Sequence, residues 1–190
     1  MSAIYSKAPG EVIEKARALI EKNHFDLHNN SVRIDFIFAN STLNDDGVPV
    51  GPALKHNGYA ALGLTRILGP KERLMERGDC EIVIDGDRWP NLSTEKQDAL
   101  IDHELEHLQP KFTKTGDVVT DDLNRPKLKL RKHDHQFGWF DNVARRHGKE
   151  SIEVNQFKAL CESEQGQLYF PFVSLESIKR IADSMKDTNP

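Results

Sequence analysis

Cysteine, tryptophan and methionine are scarce in this chain, with two, two and three residues among 190. The two cysteines, Cys80 and Cys161, lie far apart and no C-x-x-C occurs. That excludes a disulfide framework and cysteine-based metal sites of the finger or deaminase type. Neither cysteine has a histidine close in sequence, so both read as small buried hydrophobes rather than nucleophiles. No apolar run approaches the roughly 18 residues that a membrane span requires. The first ten residues, Met1 to Gly10, contain no apolar core of a secretory signal, so the expected compartment is cytoplasmic and the thiols reduced. Positive charge is not in excess: the net charge is −4, which does not favour nucleic acid as a partner of the whole surface. There is no internal repeat and no low-complexity tract. Hydrophobic residues make up 37% and charged residues 29%, ordinary for a soluble chain long enough to bury a core.

What is present is concentrated in one segment. His103-Glu104-Leu105-Glu106-His107 fits H-E-x-x-H. On an α-helix, positions i and i+4 lie roughly 40° apart in rotation and one turn along the axis. Two imidazoles at that spacing converge on one metal ion, and Glu104 can reach a water there as general base. A mononuclear zinc site of this type uses three protein ligands and leaves a position for water. The third must come from outside the motif. His133 stands where a strand meets the next helix, and its neighbour His135 is the rival. Asp134 is the candidate to orient an imidazole. His135, His147 and Tyr169 are candidates to donate to a developing oxyanion. His24, His28 and His56 read as surface polar residues, and Trp89, Trp139 and Phe140 as core.

Periodicity supplies the frame. Val12, Ile13, Ala16, Leu19 and Ile20 predict a helix over 11–22. Val32, Ile34, Phe36 and Phe38 alternate with Arg33, Asp35 and Ile37 and predict a strand with one apolar face. Residues 40–58 read as a long loop, 59–68 as a strand, and 70–77 as a short helical turn. Glu81 to Ile84 reads as a strand, and as an exposed edge to which an extended peptide could add. Ser93 or Thr94 caps the motif helix, which runs to about Leu108, with Thr94 and Gln97 fitting a capping box. Leu100, Ile101, Leu105 and Leu108 form its apolar stripe. Val118-Val119 and Leu128–Leu130 look like the arms of a hairpin. Residues 134–146, 151–163 and 174–186 read as helices. The expected architecture is therefore α+β: a zincin-like domain over 1–148, with a small, mostly antiparallel sheet, an N-terminal helix and the H-E-x-x-H helix, then a C-terminal helical extension over 149–190. Arg125, Lys127, Lys129 and Arg131 alternate with Pro126, Leu128 and Leu130. They set four cations on one strand face, most simply a solvated face, secondarily a nucleic-acid or acidic-substrate contact.

Three stretches resemble the phage metallopeptidase family, a branch of small zincins. They are Asp79-Cys80-Glu81-Ile82-Val83-Ile84-Asp85 with Trp89, then Ala99 to Leu108, then Leu130-Arg131-Lys132-His133-Asp134-His135 with a helix ending Arg146-His147-Gly148. The resemblance spans residues 65–148, and the N-terminal helix and strand are consistent with the family's opening. It implies an α+β zincin core, a zinc peptidase activity in the cytoplasm of a bacterial host, His103, His107 and His133 as ligands, and Glu104 as base. It implies a protein or peptide substrate without specifying one. A weaker similarity, of fold type alone, is to the SprT-like zincins, which act on DNA-associated proteins. The competing expectations are a non-catalytic, zinc-stabilised scaffold that binds a partner, and a hydrolase of another amide such as a cell-wall peptide. Glu104 argues against the scaffold, because a structural site needs no base.

Overall fold

The computed structural model describes residues 3–132, 141–150, 154–155 and 157–159. The chain divides into two compact units, Met1–Lys132 and His133–Pro190.

The first unit opens with β1 (Ile4–Lys7), α1 (Gly10–Asn23), α2 (Phe25–Asn29) and β2 (Ile34–Asn40). Two short strands, β3 (Lys55–His56) and β4 (Tyr59–Ala60), form a small hairpin ahead of β5 (Gly63–Ile67). There follow α3 (Pro70–Leu74), β6 (Cys80–Asp85), α4 (Thr94–Glu106), β7 (Leu108–Pro110) and β8 (Leu128–Leu130). The main sheet has four strands in the order β1-β2-β6-β5. β1–β2 and β6–β5 are antiparallel, whereas β2–β6 is parallel, so the sheet is mostly antiparallel as expected.

The sheet carries α1 and α4 on one face. Val12 and Ala16 from α1, Ile82 and Ile84 from β6, and Ile101 and Leu105 from α4 are the buried centre of that layer, with Trp89 beside them. Ile101 and Leu105 are fully buried, each stabilising by about 1.5–3 kcal/mol. Three polar links join α1 and its C-cap residue to α4: Lys15 Nζ to Asp98 Oδ1 at 2.7 Å, Asn23 Nδ2 to Asp102 Oδ1 at 3.3 Å, and His24 Nε2 to Asp102 Oδ1 at 2.8 Å. His24 is therefore buried rather than a surface residue; its partner lies 78 positions away, where no local pattern could reveal it.

The structure corrects four further expectations. β2 is apolar on both faces, because Ile37 and Ala39 join Leu54, Val83 and Leu64 in a second cluster on the far side of the sheet. The long segment after β2 contributes Leu54 to that cluster. β6 is not an edge: it lies between β2 and β5 with all six residues buried, and the edges are β1 and β5. Glu81 tolerates this because Arg66 and Arg77 reach it, each at 2.9 Å. The cap of α4 is Ser93, whose hydroxyl accepts from the Lys96 N–H at 3.4 Å, so the Thr94–Gln97 box is not the one used. Finally, Leu128–Leu130 pairs over its length with Leu108–Pro110, directly after the motif, and the expected hairpin keeps only its turn end, where the Lys127 N–H donates to the Val119 carbonyl at 2.8 Å. The segment 118–120 instead makes isolated bridges, Val118 to Phe112 and Thr120 to Pro126.

The turn that carries Asp121 and Arg125 is fastened by buried charges. Asp79, fully buried, accepts from Arg125 Nε at 2.8 Å and from the Arg33 N–H at 2.8 Å. Arg73, also buried, donates to Asp121 Oδ2 at 2.8 Å and to the Pro126 carbonyl at 3.1 Å. Burial opposes ionisation of Asp121, but hydrogen bonds from the Arg125 and Leu123 amides and from Arg73 hold its carboxyl below the usual range. Trp89 and Cys80 are buried as expected, and burial pushes the Cys80 thiol far above its ordinary value, so it is inert.

In the second unit, Asp141–His147 forms α5, followed by a 3-10 turn over Gly148–Glu150. Residues 154–155 and 157–159 are helical. The first part of the helix expected over 134–146, the remainder of 151–163, all of 174–186, and His133, Asp134, His135, Trp139, Phe140, Cys161 and Tyr169 lie outside the described residues. Among the described residues no helix is long and apolar enough to cross a membrane.

Candidate active site

The C-terminal end of α4 carries the three motif residues at the border between the sheet and the β7–β8 hairpin. The apolar stripe fixes the rotation of this helix: once Ile101 and Leu105 are buried, His103 faces outward and His107 lies half-buried on the neighbouring side. Their rings are 5.1 Å apart between centroids and nearly perpendicular, at 88°. Glu104 points the other way, into the protein, and is only 4% exposed.

His107 is held by main-chain atoms. Its Nδ1 lies 2.8 Å from the Arg131 carbonyl oxygen. A carbonyl can only accept, so Nδ1 carries the proton, and in the neutral ring Nε2 is then the nitrogen with the lone pair. The Arg131 N–H in turn donates to the His107 carbonyl at 2.8 Å, which makes the contact two-pronged. The Arg131 guanidinium also pairs with Glu106. A ring nitrogen anchored on a carbonyl, with the other nitrogen unprotonated, is the usual preparation of a histidine that binds metal.

Glu104 is held by side-chain and steric contacts. The Thr65 hydroxyl donates to Glu104 Oε2 at 2.6 Å and lies 3.1 Å from the Glu104 carbonyl oxygen. That carbonyl belongs to the last helical turn, where main-chain acceptors lack helix partners. Gly63, two residues earlier on β5, gives room for the carboxylate. A Cβ there would stand 2.5 Å from Oε1 and 2.8 Å from Cδ of Glu104.

The donor set fits a borderline metal such as zinc: two imidazoles one helical turn apart, one with its tautomer fixed, beside a carboxylate that is not itself a ligand in this motif. Among the described residues no group of three or more His, Cys, Asp or Glu is gathered for a metal. Of the sequence candidates, His103, Glu104 and His107 are adjacent on one helix. His133, its rival His135 and Asp134 fall outside the described residues, as does Tyr169, and His147 ends α5 in the second unit. Sequence reasoning missed Gly63, Thr65 and the Arg131 carbonyl. The first two carry a faint signal, a glycine and a threonine at alternate positions of a strand otherwise rich in apolar residues.

A family model described as "Putative phage metallopeptidase" matches residues 3–163. The chain belongs to this family. The match covers the whole of the site just described and bears out the resemblance read from the motif and its flanking segments. A phage metallopeptidase works with a metal, in keeping with the paired imidazoles of α4. No curated protein and no solved structure matches the chain. Of the four cations noted along 125–131, Arg125 and Arg131 are engaged in internal pairs with Asp79 and Glu106, while Lys127 and Lys129 are exposed.

Proposed function

We propose that this phage metallopeptidase hydrolyses peptide bonds of a protein or peptide, with Glu104 as general base and a zinc ion held by His103, His107 and His133. The observation that carries the reading is the pairing of a buried, hydrogen-bonded Glu104 with a His107 whose Nε2 is the metal-facing type of nitrogen. His133 enters on sequence grounds, from its place after β8 and from the family resemblance. When bound, zinc lowers the pKa of a coordinated water toward neutrality and polarises a carbonyl. Glu104 takes the proton from the attacking water and passes it to the leaving amine. Low exposure keeps the carboxylate out of bulk solvent, which strengthens its interactions with charged partners. Thr65 donates to Oε2, and a carboxylate has lone pairs beyond the one that accepts this bond to receive a proton. A non-catalytic scaffold would have no use for a carboxylate buried at this cost.

The test compares wild type with Glu104→Gln, both zinc-loaded, on a bacterial lysate whose new protein N-termini are labelled and identified by mass spectrometry. Wild type generates termini that the variant lacks, the rate falling by about 10²–10⁴-fold, while metal analysis finds equal zinc in both proteins. The same termini at the same rate from both proteins would remove Glu104 from the mechanism. Loss of zinc in the variant would make Glu104 a ligand instead.

A further inference from the structure

We propose that Thr65 is the positioning residue for Glu104, and that position 63 is a glycine because the carboxylate occupies the space of its missing side chain. The inference rests on the reading of Glu104 as general base and deepens it. The register of the sheet supplies the first argument. Gly63, Thr65 and Ile67 of β5 pair with Ile84, Ile82 and Cys80 of β6. Those β6 residues belong to the core under the helices, so this is the β5 face that meets α4. Leu64 and Arg66 pair with Val83 and Glu81 and lie on the opposite face. Thr65, half-buried, therefore puts a hydroxyl on the core-facing side of β5, an unfavourable placement unless the hydroxyl is hydrogen-bonded.

The second argument is geometric. The hydroxyl meets Glu104 Oε2 at 2.6 Å, within the short range of an O–H donating to a carboxylate. A glutamate has several rotatable bonds, and a general base acts only from a narrow set of positions. The Thr65 bond on one oxygen and the Gly63 backbone against the other select one of those positions. Any side chain at 63 would overlap the carboxylate, with a Cβ 2.5 Å from Oε1. The residues that hold the base thus come from a strand 39 positions before it.

The experiment uses the full chain as wild type, Thr65→Val, Thr65→Ser, Glu104→Gln and the Thr65→Val/Glu104→Gln double variant. Zinc-loaded proteins are assayed on fluorescein-labelled casein for kcat and KM, with zinc measured per chain. The metal-free proteins are unfolded in urea to give a double-mutant cycle. Thr65→Val is expected to lower kcat by about ten- to a hundredfold, the loss of one hydrogen bond to a charged group, with KM and zinc content unchanged. Thr65→Ser, which keeps the donor, restores most of kcat. In the metal-free chain Thr65→Val and Glu104→Gln are non-additive. A Thr65→Val protein as active as wild type, beside an inactive Glu104→Gln, overturns the positioning role and leaves the base reading standing. Equal cleavage by wild type and Glu104→Gln sinks the base reading itself. Additive unfolding energies overturn the Thr65–Glu104 contact whatever the assays give.

Discussion

Glu104 lies in the last turn of α4 and His107 at its C-cap, yet the protein holds them by opposite means. On the β5 side the contacts are side chain to side chain: a threonine hydroxyl on one carboxylate oxygen and an empty glycine position against the other. On the hairpin side they run to main-chain atoms of Arg131, whose carbonyl meets His107 Nδ1 and whose N–H meets the His107 carbonyl. A side-chain contact can be edited by a single substitution and adjusted atom by atom. A main-chain contact is nearly indifferent to residue identity and fails only when the local backbone does. The group proposed to move protons is therefore held by the tunable means, and the group proposed to hold metal by the robust one.

The largest effect is expected from removing the anchor of the hairpin side. Asp79→Ala leaves the largely buried guanidinium of Arg125 without its carboxylate and Arg73 with Asp121 alone, and should cost about 3–5 kcal/mol in urea unfolding. A loss below about 1 kcal/mol would mean that the charges are not what fastens the Asp121–Arg125 turn. Next comes the main chain itself. Arg131→Pro deletes the N–H that donates to His107, and zinc affinity should fall about ten- to a hundredfold in a competition titration against a chelator. On the other side, Gly63→Ala forces a methyl group onto Glu104. It should destabilise by about 1–3 kcal/mol and depress casein cleavage while zinc content holds. The smallest effect sharpens the contrast. Arg131→Ala keeps both main-chain contacts and loses a half-exposed pair with Glu106, so stability should change by less than about 1 kcal/mol and zinc affinity not at all. If Arg131→Ala weakened zinc as much as Arg131→Pro, the side chain would be what holds His107, and the distinction would collapse.

Much of this architecture was legible in the sequence, and the failures share a cause. The stripe of Leu100, Ile101 and Leu105 identified the motif helix and its buried face, because a helix records its environment in its own period, whereas Leu108, read into the same stripe, begins β7. The strand at Cys80–Asp85 was equally plain, but its place in the sheet was not. Glu81 and Asp85 look like solvent-facing residues, and only the arginines of other segments and a local turn make them buried. The partner of Leu128–Leu130 was misassigned because Leu108–Pro110 follows the helix without a break and shares its apolar pattern. In the site, the ligand pair and the base were written in five consecutive letters. Thr65, Gly63 and the Arg131 carbonyl were not, since they act across 39 and 24 positions through contacts that leave no periodic trace. His24 was misread for the same reason.

The main-chain contact at Arg131 bears on whether this motif is portable. An isolated helix as short as α4 is marginal in water even with good helix formers. Here its first turns lean on α1 and its last turns on β5 and β8. Copying His103–His107 onto a helix of another scaffold would carry across two imidazoles and a carboxylate, but neither the fixed tautomer of one nor the fixed position of the other. The smallest piece that could be transplanted with its geometry intact is the whole stretch from Gly63 to Arg131, a strand–helix–hairpin cassette inherited or engineered as one part.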